Sequence, residues 1–184
     1  MPSPTPAEVK VWDPLIWIVH WSTVTGVSVA WLFTEGRIHD AAGYAVLGLM
    51  TLRILWRFVG PWHARFANFV ANPRTVLEYA RLLCSKRKPR HIGHNPLGGW
   101  MIIVLLATGI TTSLSGWLYT TDSFWGIEWV ERIHALFAYL LLVLIALHVF
   151  GVTFTSIRQR ENLVAAMFHG RKRTEAANKS GGPR

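Results

Sequence analysis

Two histidines stand near the ends of a long apolar run, Glu131 to Phe150, and imidazole is a side chain able to bind a metal or move a proton. His134 and His148 are fourteen positions apart, so on an α-helix they differ by roughly 21 Å in height and about 40° in rotation. They share a face, and Ala138, Leu141 and Ile145 between them bring no polar group. Imidazoles placed in lipid or in a bundle core need partners for their ring nitrogens. Two metal-binding levels, one above the other, supply such partners.

The rest of the chain sets the medium. Its 184 residues are 51% hydrophobic and 16% charged, too apolar for an ordinary soluble domain, and one small membrane domain over 1–173 is expected. The net charge of +9 does not indicate nucleic acid, because the basic residues gather between apolar runs, where membrane proteins keep cytoplasmic charge. The single cysteine, Cys84, excludes an internal disulfide, a cysteine-rich metal site and the paired-cysteine attachment of c-type haem. Met1 to Asp13 lacks the pattern of a removable signal peptide.

Four runs are long enough to cross a bilayer as helices, at about 14–33, 39–58, 97–119 and 130–155. The fold expected is therefore all-α, an integral membrane four-helix bundle. Between the second and third runs the chain is basic, and Asn72-Pro73 reads as the start of a short surface helix. Arg158 to Arg173 reads as another, and 174–184 as a disordered tail. Sixteen lysines and arginines fall on the side holding both termini and the middle loop, against Arg37 and Arg132 on the other. Both termini are therefore expected in the cytoplasm. The outer side also carries Glu35, Asp40, Asp122, Glu128 and Glu131, which makes it acidic.

Depth then pairs the histidines. His20 lies about six residues, or roughly 9 Å, into the first helix from the inner border, at the depth of His148. His39 opens the second helix at the outer border, at the depth of His134. Two imidazoles alone are too few for zinc, which takes four protein ligands or three plus water. Haem fits, because the porphyrin supplies four nitrogens and the protein one axial ligand on each face. Gly26 and Gly43 are candidates for the close approach a flat macrocycle needs, and Arg53, fourteen residues past His39, for an inner propionate. His63, His91, His94 and His169 fall in basic segments and read as solvated.

Val11-Trp-Asp-Pro14 leading to His20-Trp21, His39 with Gly43-Tyr44, Arg53 with Trp56, Gly93-His-Asn-Pro96, and Glu161-Asn-Leu163 with Gly170-Arg-Lys-Arg173 form a pattern over residues 11–173. It resembles bacterial di-haem b-type cytochromes, among them cytochrome b-561 proteins and the b-type subunit of nickel-iron hydrogenases. The resemblance implies two non-covalent b haems with His20, His39, His134 and His148 as axial ligands, in the bacterial inner membrane. It also implies electron transfer between the quinone pool, ubiquinone or menaquinone, and a partner redox protein. Trp17 stands where the family's motif often has arginine.

Iron with two imidazoles has no open position, which suits a conductor of electrons. The acidic outer face suits a basic periplasmic cytochrome c or a hydrogenase-like redox subunit. Trp117, Tyr119, Asp122, Trp125 and Trp129 offer walls for quinone or an aromatic belt. An alternative from the same resemblance is a stand-alone superoxide:quinone oxidoreductase, which needs a cationic funnel at the outer site. A third is a membrane anchor or metal transporter without haem. The resemblance leaves a homodimer open.

Overall fold

Asp13 and Pro14 start the first helix as their residue types dictate. The Asp13 carboxylate accepts from the Leu15 N–H at 2.8 Å, while Pro14 takes the first helical position, where a missing N–H costs nothing. The computed structural model describes residues 8–10, 13–59, 72, 96–159 and 171–173. Within them, four helices follow in order: α1 (Pro14–Leu32), α2 (Arg37–Val59), α3 (Pro96–Tyr119) and α4 (Glu128–Gln159). All four are long and apolar enough to cross a membrane. α4 extends beyond the expected 130–155 at both ends; at its start, Glu128 and Glu131 favour the positively polarised first turn.

Two three-residue strands, β1 (Glu8–Lys10) and β2 (Arg171–Arg173), pair antiparallel with Glu8 opposite Arg173. This small ribbon is the one departure from an all-α fold among the described residues, and it brings the two ends of the helical unit together. Residues 171–173 are thus strand, not the end of a surface helix. The ladder to a second segment satisfies their backbone groups in place of a helical turn. The other expected surface helix lies outside the described residues apart from Asn72, as do most of 158–170 and the tail from 174.

Packing runs in sequence around the bundle, α1 on α2, α2 on α3 and α3 on α4. Val46, Met50 and Leu106 are buried at the centre of the α2–α3 contact, with Val27, Ile54, Ile102 and Ile110 against them. Two glycines permit the close approach. A Cβ at Gly26 would lie 2.7 Å from Val46 Cγ2, and one at Gly109 would meet the end of Met50. Hydroxyls in the spans bond back to their own helices, Thr23 to the Val19 carbonyl at 2.7 Å and Thr51 to that of Leu47 at 2.8 Å. The ends are tied as well. The Trp56 indole donates to Asp13 Oδ2 at 3.2 Å, and the hydroxyls of Tyr44 and Thr120 meet at 2.8 Å.

The backbone of α4 comes close to α1 and α2 at few points in the described residues, although Trp31 of α1 meets Tyr139 of α4 edge to face at 5.6 Å. These separated helices are the ones carrying the paired histidines. The packing predicts that Gly26→Ala, pressing on the stiff branched side chain of Val46, lowers stability by about 1–3 kcal/mol. Gly48→Ala, where a Cβ meets nothing within 4 Å, is the neutral control. Thermal unfolding of both variants in mild detergent checks this, and equal melting temperatures would contradict it.

Candidate cofactor-binding site

His39 sits in the first turn of α2, just after Gly36 turns the chain with a φ of 83° that favours glycine. That turn aims the imidazole back at the end of α1. Its Nδ1 lies 2.9 Å from the Ala30 carbonyl oxygen and 3.1 Å from that of Phe33. A carbonyl only accepts, so Nδ1 carries the proton and donates. Ala30 belongs to the last turn of α1, whose carbonyls lack helical partners, and His39 therefore caps that end.

His134, one turn further into α4 than the acidic first turn, has the same tautomer for the same reason. Its Nδ1–H donates to the Thr112 carbonyl of α3 at 2.9 Å, with Ser115 Oγ 3.4 Å from the same nitrogen. Gly116 completes the seat: a Cβ there would lie 2.9 Å from His134 Cε1 and 3.1 Å from Nδ1. Thr112, Ser115 and Gly116 share one face of α3 by their spacing of three and four. The carbonyl of Thr112 and the bareness of Gly116 were not recognised from sequence, since a backbone acceptor leaves no mark in residue type. The recurrence of small residues at 108, 109, 112, 113 and 116 was the available signal.

In the neutral form each half-buried ring, its proton held on Nδ1, presents Nε2 as a lone pair. Their centroids are 6.0 Å apart with planes 80° from parallel. Two imidazoles on opposite sides of one metal, at roughly 2 Å per metal–nitrogen bond, place their ring centres about 6 Å apart whatever the twist between them. The donor set and its spacing fit a haem iron. Among the described residues no three histidine, cysteine, aspartate or glutamate side chains gather as a metal site, so a metal held by protein ligands alone finds none here.

The other expected pair is His20 with His148. His20 of α1 and His148 of α4 are both half-buried and close enough to interact electrostatically, and Arg53 of α2 acts on each. His20 also meets Trp21 edge to face at 5.4 Å. A guanidinium beside two imidazoles in an apolar bundle is a ready partner for anionic groups. The two candidate glycines part company. A Cβ on Gly26 would press on Val46 of α2, whereas one on Gly43 would meet nothing within 4 Å.

In and beside the connection from α3 to α4, Tyr119 lies against Trp125 at 5.6 Å and Phe124 meets Trp129 edge to face at 6.1 Å. Gly126, at φ 74°, turns the connection into α4. Arg132 is paired with Glu128 one turn before it, both side chains exposed.

The model of the prokaryotic cytochrome b561 family matches residues 11–170 of the chain. A probable Ni/Fe-hydrogenase B-type cytochrome subunit of Rhizobium leguminosarum bv. viciae is 24% identical across 73% of this chain and 67% of its own length. Its counterpart in Azotobacter vinelandii is 26% identical across 72% and 65%. The chain thus spans about two thirds of the length of these relatives. No solved structure matches it.

The seat of His134 yields a prediction. Gly116→Ala, whose methyl must displace the imidazole, lowers the b haem bound per chain, while Gly48→Ala leaves it unchanged; pyridine-haemochrome titration against protein concentration checks both. Full haem content in Gly116→Ala would show that His134 is not held through this contact.

Proposed function

This chain belongs to the prokaryotic cytochrome b561 family, a multi-pass membrane b-type cytochrome of the bacterial inner membrane, and from that premise we propose that it holds two b haems and conducts electrons across the bilayer. The observation that carries this reading is the outer pair. His39 and His134 stand 6.0 Å apart with both Nδ1 atoms bonded to carbonyls, an arrangement that leaves two lone pairs for one iron. His20 and His148 are the ligands of the inner level, and Arg53 takes the inner propionates. One-electron exchange at iron is the chemistry the haem supplies.

The chain's own residues do the rest. The four imidazoles would hold the two haems, His39 with His134 and His20 with His148. Leu141, buried on the face between His134 and His148, keeps water from the space between levels. Val130, almost wholly buried, anchors the start of α4 beside the outer level. Burial in apolar surroundings and the hydrogen bonds on the ligands set the potentials.

The partners are read from the relatives and from charge. Relatives named as hydrogenase cytochrome subunits support a hydrogenase-like redox subunit at the acidic outer face and quinone as the lipid-soluble acceptor. A basic periplasmic cytochrome c suits the same face by charge. Both termini are assigned to the cytoplasm from the charge bias, and the β1–β2 pairing supports placing the two ends on one side. The superoxide:quinone alternative draws less support, because Arg132, one of two outer cations, is neutralised by Glu128.

Vesicles with ferricyanide trapped inside test the reading. With quinol or dithionite added outside, the wild-type chain reduces the trapped ferricyanide. His134→Ala and His148→Ala each stop that transfer and each lose one of two haems. Undiminished transfer in either variant would overturn the two-level account.

A further inference from the structure

The two outer imidazoles are not hydrogen-bonded alike. His39 donates to two carbonyls at the C-terminal end of α1, at 2.9 and 3.1 Å, where acceptors have no helical partner and the helix dipole is negative. His134 donates to the Thr112 carbonyl, which lies within α3 and already serves the backbone ladder there. That same oxygen accepts a further bond, from the Ser115 hydroxyl at 2.9 Å. Ser115 is buried, so its proton has no water to turn to. Its Oγ lies 3.4 Å from His134 Nδ1, too long to offer the ring a comparable acceptor.

We infer that Ser115 is a positioning residue that sets the potential of the outer haem by sharing the Thr112 carbonyl with His134. This rests on the reading that His134 is an axial ligand. A strong bond from Nδ1–H gives the imidazole more anionic character and makes Nε2 a better donor, which favours ferric iron. A carbonyl that also accepts a hydroxyl proton pulls less on the imidazole proton. Ser115 therefore weakens that pull and raises the potential, opposing the effect of the unshared carbonyls on His39.

The test is a redox titration of the holoprotein in detergent, following the haem absorption, for wild type, Ser115→Ala and Ser115→Thr. Removing the hydroxyl is expected to favour the oxidised outer haem by about threefold, a downward shift of about 30 mV at 59 mV per tenfold for one electron. Ser115→Thr, whose hydroxyl reaches the same carbonyl, keeps the wild-type value. The inner haem, with His20 and His148 far down the bundle, does not move. Infrared difference spectra of the redox change should show the imidazole ring modes shifted in Ser115→Ala alone.

An unshifted outer potential in Ser115→Ala with both haems retained overturns the role of Ser115, as does an equal shift of both haems. Loss of the axial assignment has a different signature: His134→Ala would then keep both haems and their bands, and the inference would fall with the reading beneath it.

Discussion

An imidazole inside a membrane has two ring nitrogens and no water to satisfy them, and this constraint governs the bundle. For His39 and His134 the protein answers half of it with backbone, a carbonyl at the end of α1 in one case and a carbonyl within α3 in the other. With a carbonyl holding the Nδ1 proton, the other ring nitrogen is the one left to find a partner. Both neighbours are backbone, and the residue that seats the His134 ring has no side chain at all, Gly116.

The helix arrangement follows from the same need. α1 to α2, α2 to α3 and α3 to α4 pack closely, with Gly26 and Gly109 at the contacts, while the backbone of α4 comes close to α1 and α2 at few points. A Cβ on Gly43 would meet nothing within 4 Å. Membership of the cytochrome b561 family implies a b-type haem held by the bundle.

Much of this was legible in the residues. The spans are visible because each is long and nearly uncharged, and Asp13-Pro14 announces the start of α1 by its capping chemistry. The pairing of His39 with His134 followed from depth alone, because helices that cross in opposite directions convert sequence position into height. Gly26 shows where that reasoning stops. A glycine says that something comes close, not what, and here it is Val46 of α2. Thr112 and Ser115 were passed over since hydroxyl residues in apolar helices usually bond to their own backbone, as Thr111 and Thr112 do. The strand over 171–173 was illegible because a three-residue ladder depends on a partner some 160 positions away.

The central claim is that histidines from separate spans ligate iron in pairs, at two heights. Near-infrared magnetic circular dichroism of the oxidised, purified chain tests it most directly, because the charge-transfer band of low-spin ferric haem reports the two axial ligands. The account predicts that the bands of both haems take the position of bis-imidazole ligation, with no high-spin component. A histidine–methionine band, a high-spin signal in the native protein, or intensity for one haem alone would contradict it.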